Sequence, residues 1–123
     1  MSVCVDSIIA AVSSLRLSPA VEEYALHDAI AGALARHGVA YLHEARLAPR
    51  CRIDFLCDGV GIEVKRGKPD RRRLIAQCER YLDNEALEAL ILVVDRAVFL
   101  PDELRGKPVV TIGLNRLWGI ALP

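Results

Sequence analysis

The sequence predicts an α/β fold whose central sheet mixes antiparallel and parallel strands, and three observations support this prediction. Two segments with alternating apolar residues flank Asp58-Gly59, a dipeptide that is typical of tight β-hairpin turns. The segment 89–94 (ALILVV) is continuously apolar, which is typical of a strand buried on both faces of a sheet. A helical pattern separates the hairpin from this strand, and such a helix implies a crossover connection.

Two helices are predicted before the first strand. Residues 5–17 carry apolar side chains at helical spacing, which indicates a short amphipathic helix that packs on the domain or on a second copy of the chain. Ser18 and Pro19 are suited to the cap and the first position of a second helix, and Gly38 is suited to end it. The first strand is then expected at about 39–47.

The remaining elements follow in an order that suits a mixed sheet. The pattern predicts the two hairpin strands, a helix capped by Asp70, the buried strand and two short C-terminal strands. Their approximate bounds are 52–57, 60–66, 71–83, 89–94, 109–114 and 117–122. These elements leave no long linker, so we assign residues 1–123 to one domain. Its parts are an N-terminal helix in 1–17, a core at about 18–95 and C-terminal strands at about 107–122.

Composition and charge restrict the class of protein. Hydrophobic residues make up 53% of the chain, enough for a sizeable core, and the formal net charge is zero. A balanced charge argues against a strongly basic surface, although it permits a local basic patch. The four cysteines form no C-x-x-C pair, so we expect them to be buried and reduced. No apolar run reaches the roughly 20 residues that span a bilayer, and Met1–Leu17 lacks the features of a signal peptide, so a cytoplasmic protein is expected.

The hairpin predicts which side chains share a face of the sheet. If Asp58 and Gly59 form the turn, Asp54 lies directly opposite Glu63, with their Cβ atoms about 5 Å apart. Lys65 lies two residues beyond Glu63 and therefore on the same face. The other face is expected to be wholly apolar, formed by Ile53, Phe55, Cys57, Val60, Ile62 and Val64.

The charges on the polar face favour a bound cation. An ordinary solvated face would gain from opposite charges across the strands, whereas here the opposed pairs are Asp54 with Glu63 and Arg52 with Lys65. A divalent cation between two carboxylates offsets such repulsion, and Mg²⁺ prefers oxygen ligands. The cation polarises a phosphate and lowers the pKa of a bound water, while a lysine stabilises developing negative charge. These residue types therefore favour phosphodiester hydrolysis over a merely solvated face.

The same residues resemble a known family. The segments 52–56 (RIDFL) and 61–65 (GIEVK) resemble the PD-(D/E)XK nuclease superfamily, which includes restriction endonucleases, archaeal Holliday-junction resolvases and the RecB and lambda exonuclease groups. Ile53 stands where the motif often has proline, a departure that the superfamily tolerates. The resemblance covers roughly residues 19–95, and the overall layout is similar to that of small stand-alone phage proteins of this superfamily.

The resemblance implies a fold, an activity and a cofactor. The expected fold is a restriction-endonuclease-like αβββαβ core with a mixed central sheet flanked by helices. The expected activity is that of a Mg²⁺- or Mn²⁺-dependent deoxyribonuclease acting as an endonuclease, with Asp54 and Glu63 as metal ligands and Lys65 serving the nucleophile or the developing charge. The alternatives are a structure-specific resolvase or exonuclease, a non-catalytic nucleic-acid-binding or assembly module that keeps the fold, and a structural protein whose charged face pairs with a basic partner.

Residues on the flanking helices complete the predicted catalytic set. The family adds an acidic residue on the helix before the hairpin. Glu23 lies closer than Glu22 to the apolar stripe of that helix, which makes Glu23 the predicted third metal ligand; the alternative is that both suit the positive helix end. Gln77 and Tyr81, one turn apart on the later helix, resemble a Gln-x-x-x-Tyr motif of some branches, which implies that Gln77 places the attacking water or a phosphate. For Tyr81, packing in the core is the alternative.

Basic residues cluster around the predicted site and predict its contact with DNA. Such a patch is enough to track a phosphate backbone, while a solvated helix start is the alternative. The residues predicted to contact DNA are Arg52, Arg66, Lys68, Arg72, Arg73 and Tyr81. His37 and His43 show no ligand spacing, whereas His27 lies on the Glu23 side of its helix, where a supporting role beside the site is the alternative. All three histidines are expected to be structural. A homodimer is a further expectation, because a domain of 123 residues has little surface with which to enclose DNA.

Overall fold

A six-stranded sheet with helices on both faces forms the described part of the protein. The structure, a computed structural model, describes residues 5–17, 21–68, 70–95 and 100–114. The helices are α1 (Val5–Ser13), α2 (Glu23–Arg36) and α3 (Arg71–Leu82). The strands are β1 (Leu42–Ala48), β2 (Cys51–Cys57), β3 (Val60–Lys65), β4 (Ala89–Val94), β5 (Glu103–Leu104) and β6 (Lys107–Gly113). None of the described helices has both the length and the apolarity needed to cross a bilayer.

The sheet is mixed, as predicted. Its strand order is β1-β2-β3-β4-β6-β5, in which β1, β2 and β3 are antiparallel neighbours and β3, β4 and β6 are parallel neighbours. α3 connects the parallel strands β3 and β4, which confirms the predicted crossover. The sequence did not predict β5, because its two residues are too few to show an alternating pattern. The predicted strand at 117–122 lies outside the described residues.

Two hydrophobic clusters lie on the two faces of the sheet. On one face, α1 and α2 bury Ile8, Val12 and Leu26 against side chains of β2, β3 and β4. On the other face, α3 packs through Leu74 against a second cluster. β4 contributes alternate residues to both clusters and is buried throughout, as its continuous apolar run predicts. α1 ends earlier than predicted, at Ser13, and it closes the core of this chain.

Local residue chemistry sets the ends of the helices. The side chain of Asp70 accepts a hydrogen bond from the backbone N–H of Arg73 and caps α3, as predicted. Gly38 has a φ of 72° and its N–H donates back into the last turn of α2, so this glycine ends the helix as predicted. α2 begins later than predicted, at Glu23. The predicted cap and first position, residues 18 and 19, lie outside the described ranges.

The alternation of side chains along β2 is interrupted at Asp54. Phe55 packs in the cluster on the α1–α2 face, whereas Ile53 packs with Ala45 of β1 in the cluster on the α3 face. Residues two apart on a regular strand share a face, so the prediction that Ile53 belongs to the apolar face of Phe55 is wrong. On β1, opposite Asp54, Glu44 has a φ of 53°. This left-handed conformation turns the strand and reverses its alternation at the same level.

Gly61 provides the space that Ile53 occupies after this reversal. A Cβ atom at Gly61 would lie 2.4 Å from Ile53 Cδ1 and 2.8 Å from Leu87 Cδ2, closer than van der Waals contact allows. We therefore expect Gly61→Ala to lower the free energy of unfolding by about 1–3 kcal/mol, as measured by urea denaturation. The control is Gly32→Ala on α2, where a Cβ meets the flexible end of Arg36 at 3.3 Å and helix propensity predicts no loss. Equal stability of Gly61→Ala and the wild type would contradict this description of the packing.

Candidate active site

β2 and β3 separate at the predicted site. Their backbones pair in the predicted register from the turn as far as Phe55 and Ile62, where the pairing of these two strands ends in the described residues. β3 nevertheless stays paired with β4 as far as Lys65. The sheet therefore opens between β2 and β3 at the level of Asp54 and Glu63.

Carboxylates take the place of backbone carbonyls in this opening. The N–H of Asp54 donates to Glu63 Oε1 at 3.1 Å, and the N–H of Val64 donates to Asp54 Oδ2 at 2.8 Å. Each strand thus satisfies an N–H group with a side chain of the other strand, which leaves neither donor unpaired. Asp54 and Glu63 are neighbours, as the hairpin register predicts, but they meet through these bonds rather than as a backbone pair.

Glu63 is deeply buried, with only 6% of its surface exposed. Lys65 Nζ lies 3.3 Å from Glu63 Oε2, and the lysine side chain is 29% exposed. Burial raises the pKa of Glu63 to about 7, and the negative charge of Asp54 adds to this rise, while Lys65 and two hydrogen bonds oppose it. The positive charge of Lys65 therefore compensates the two carboxylates only in part.

Gln77 and Tyr81 reach the site as a pair. Gln77 Nε2 donates to Tyr81 Oη at 2.9 Å, and Tyr81 Oη donates to Glu63 Oε2 at 3.0 Å. The backbone carbonyl of Arg52 lies 3.2 Å from the same hydroxyl, but the ionised carboxylate is the stronger acceptor for its single proton. Burial, followed by the charge of Glu63, raises the pKa of Tyr81, so the hydroxyl stays protonated. With 3% of its surface exposed, Tyr81 belongs to the core and is not available for the predicted contact with DNA.

On α2, His27 contacts Asp54 and the predicted Glu23 does not. Glu23 is exposed in the first turn of α2, and no hydrogen bond or ion pair in the described part of the chain joins it to Asp54 or Glu63. His27 instead lies with Nε2 3.9 Å from Asp54 Oδ2, and its side chain is only 13% exposed. The sequence held a signal for this residue, since His27 follows Glu23 by four positions and shares its face of the helix.

Four of the predicted DNA-binding residues are exposed. Lys68 lies in the loop after β3, and Arg72 and Arg73 lie in the first turn of α3. Arg52 on β2 is also exposed, with Nη1 3.5 Å from Glu44 Oε1. Exposed ion pairs of this kind contribute little to stability, so the Arg52 guanidinium can exchange this partner for a phosphate.

Arg66 has partners inside the protein. Its Nη1 donates to the carbonyl of Val21 at 2.6 Å, and its Nε lies 2.6 Å from Asp95 Oδ1 without the alignment of a hydrogen bond. The other oxygen of Asp95 accepts from the N–H of Gly67. These contacts tie the start of α2 to the ends of β3 and β4 and so frame the site. A contact of Arg66 with DNA stays a prediction.

The donor atoms of the opening fit a hard divalent cation. Asp54 and Glu63 supply carboxylate oxygens, the ligands that Mg²⁺ prefers, and Mg²⁺ keeps several of its waters. Within the described ranges no hydrogen bond reaches Asp54 Oδ1, so the lone pairs of this oxygen remain for a further partner. Among the described residues, no three or more His, Cys, Asp or Glu side chains converge into a complete ligand cluster. A cation held here would therefore take several ligands from water and substrate.

Comparison with known proteins adds no relative to this description. No family model matches the chain, and neither a curated protein nor a solved structure does. The function of the chain is therefore inferred from the chemistry of the residues around Asp54 and Glu63.

Proposed function

We propose that the protein is a Mg²⁺- or Mn²⁺-dependent deoxyribonuclease that hydrolyses phosphodiester bonds within DNA strands. The observation behind the proposal is the opening between β2 and β3, where the carboxylates of Asp54 and Glu63 meet and Lys65 lies 3.3 Å from Glu63. Two like charges in a largely buried position are stabilised by a divalent cation. The resemblance of segments 52–56 and 61–65 to the PD-(D/E)XK superfamily supports the same activity.

The roles of the residues follow from their contacts. Asp54 and Glu63 would hold the cation, which, when bound, polarises a phosphate and makes a bound water more acidic. Lys65 lies beside the carboxylate of Glu63. It would orient the attacking water or stabilise the negative charge that develops on the phosphate. Gln77 acts through Tyr81, whose hydroxyl holds Glu63 Oε2 in place.

On α2, His27 is better placed than Glu23 to complete the ligand set. Two ligands of one cation, each about 2.1 Å from it, are at most about 4.2 Å apart. The 3.9 Å between His27 Nε2 and Asp54 Oδ2 is below this maximum but longer than the roughly 3.0 Å between adjacent octahedral ligands, so the two side chains would move closer on a shared cation. Glu23 is exposed one turn away, and its role as a ligand stays a prediction. Metal titrations of His27→Ala and Glu23→Ala separate the two residues.

DNA is the proposed substrate, and a homodimer is the proposed assembly. Exposed basic side chains surround the end of β3 and the start of α3, where phosphate contacts need no excess of positive charge over the whole chain. These side chains belong to Arg52, Lys68, Arg72 and Arg73. A second copy of the chain would extend the surface that encloses a duplex.

Cleavage assays with defined DNA test the proposed activity. We expect the purified protein to cut supercoiled plasmid in Mg²⁺ or Mn²⁺ and to be inactive in EDTA. Linear duplexes with blocked ends and single-stranded DNA distinguish cuts within strands from digestion at ends. Thermal unfolding with and without Mn²⁺ distinguishes a metal site from a charged surface. We expect Mn²⁺ to stabilise the wild type but not Asp54→Asn. A wild type without metal-dependent cleavage would contradict the proposal and favour a non-catalytic nucleic-acid-binding module.

Lys65→Ala is expected to separate catalysis from metal binding. Cleavage should fall about 100- to 1,000-fold, the typical effect of losing one group that stabilises transition-state charge. Stabilisation by Mn²⁺ should persist in thermal unfolding, because Asp54 and Glu63 are both retained. The exposed Lys68→Ala is the matched control, and we expect it mainly to weaken DNA binding. Unchanged cleavage by Lys65→Ala would remove this lysine from the mechanism.

A further inference from the structure

We propose that His43 is a positioning residue of this site and that it acts through His27, an inference that rests on the proposed function. His27 Nδ1 lies 2.9 Å from His43 Nε2, which is a hydrogen-bond distance. The other nitrogen of His27, Nε2, faces Asp54 Oδ2 at 3.9 Å. The imidazole of His27 is thus held between the edge strand β1 on one side and a carboxylate of the site on the other.

Phe55 supports both imidazoles from the core. The rings of His43 and Phe55 stack with centroids 4.8 Å apart and an interplanar angle of 26°, and the ring of His27 lies 5.5 Å from that of Phe55. Phe55 is fully buried, so its ring presents a fixed surface. The two imidazoles meet edge to face with centroids 5.2 Å apart. Packing therefore holds the plane of the His27 ring, and the exposed His43 ring stacks on Phe55 from the solvent side.

Packing alone does not decide which edge of the His27 ring faces Asp54. The hydrogen bond to His43 decides it. A half-turn about the Cβ–Cγ bond keeps the shape of the imidazole but exchanges its nitrogen and carbon positions. With Nδ1 bonded to His43, Nε2 points towards Asp54. If His27 Nε2 held a cation, the shared proton would stay on Nδ1, and His43 would accept it in a hydrogen bond. Histidine ligands of metals are commonly oriented through their second ring nitrogen in this way.

The irregularity of β1 brings His43 to this position. His43 pairs with Phe55 across the strands and stacks on it, on the α2 face, whereas Ala45 packs in the cluster on the α3 face. Residues two apart on a regular strand would share a face. The left-handed conformation of Glu44, between them, allows His43 to face α2 while the rest of β1 follows the other face. The left-handed conformation of Glu44 thus affects the position of His43 beside the site as well as the course of β1.

Variants of His43 distinguish positioning from packing. His43→Phe keeps a ring over Phe55 and removes the nitrogen, whereas His43→Gln places an amide where Nε2 stood. We expect His43→Phe to weaken Mn²⁺ binding to the full chain about 10- to 100-fold, the usual effect of removing a group that orients a metal ligand. His43→Gln should restore most of this loss. His37→Phe is the matched control at an exposed histidine whose Nδ1 contacts the carbonyl of Ala33, and it should bind Mn²⁺ as the wild type does.

Nitrogen NMR of the metal-free protein provides a measurement that needs neither metal nor DNA. We expect the wild type to show one imidazole proton that couples to ring nitrogens of both His27 and His43. This signal should be absent in His43→Phe. A wild type without such a proton would overturn the inference, whatever the metal-binding results.

The binding results also separate this inference from the proposed function. If the wild type binds Mn²⁺ and His43→Phe binds it equally well, His43 only packs, and the inference fails while the function stands. If His43→Phe and His43→Gln lose the same affinity together with the same thermal stability, the effect is one of folding, and the inference again fails. If the wild type binds no Mn²⁺, the proposed function fails and the role of His43 fails with it.

Discussion

Glu63→Gln is expected to stabilise the metal-free protein while it removes metal-dependent cleavage. Burial and the charge of Asp54 raise the pKa of Glu63 to about 7, so the folded protein holds an unfavourable ionised carboxylate in mildly alkaline solution. The amide removes the charge, and its Oε1 still accepts from the N–H of Asp54. We expect urea denaturation in EDTA at about pH 8 to show a gain on the order of 1–3 kcal/mol. Cleavage should fall more than about 1,000-fold, because several kcal/mol of charge stabilisation are lost with the cation.

Opposite effects on stability and on cleavage make this variant informative. Glu85→Gln, at an exposed glutamate after α3, is the matched control and should change neither property. A loss of stability in Glu63→Gln would mean that the ion pair with Lys65 and the hydrogen bond from Tyr81 outweigh the burial of the charge. Full cleavage activity in Glu63→Gln would contradict the assignment of Glu63 as a metal ligand.

The contribution of Glu63 to the stability of the metal-free protein is expected to fall as the pH rises from about 4.5 to about 7. The folded-state pKa of Glu63 lies above its ordinary value, so in this window the folded state binds more protons than the unfolded state does. The stability contributed by protonated Glu63 is fully present below its ordinary pKa of 4.5. It is lost as the pH rises through its folded-state pKa of about 7. The contribution of this one group is on the order of 3 kcal/mol. Mn²⁺ binds the ionised carboxylate, so the stabilisation by Mn²⁺ should increase over the same window.

Unfolding of wild type and Glu63→Gln across this pH range measures the contribution of Glu63 together with its coupling to Asp54. Other carboxylates titrate in the same range, and the difference between the two proteins cancels their effects as long as they are independent of Glu63. We expect the difference to grow with pH in EDTA and to shrink or reverse in Mn²⁺. Parallel pH profiles of the two proteins in EDTA would show that Glu63 ionises normally in the folded state.

Much of the sheet is predictable because short-range patterns determine it. The hairpin turn at Asp58 and Gly59 sets a register that the structure retains as far as Phe55 and Ile62. The six buried residues of β4 follow from their uninterrupted apolar run, and the start of α3 follows from its cap, Asp70. The bounds of α1 and α2 are less well predicted, since tertiary contacts decide how far an amphipathic pattern stays helical.

The reversal of side-chain alternation at Asp54 could not be predicted from the sequence, for a physical reason. A strand pattern assumes that side chains alternate without interruption, and nothing in the residue type of Glu44 indicates a left-handed conformation. Ile53 leaves the expected face because Gly61 offers it space on the α3 side, a fit between residues of different strands. A related limit applies to the candidate ligand on α2. Helical spacing places Glu23 and His27 on one face, but only the docking of α2 on the sheet decides which of them reaches Asp54.

The sequence by itself determined that Asp54, Glu63 and Lys65 lie close together. A two-residue turn sets the register of a hairpin, and the two-residue period of a strand then assigns neighbouring side chains to the same patch. Only the tertiary structure decided that Glu63 is almost wholly buried, that Tyr81 donates to it from α3, and that His27 lies between Asp54 and His43. Burial and such contacts depend on how helices pack against the sheet, which brings together residues far apart in the chain and outside any local pattern.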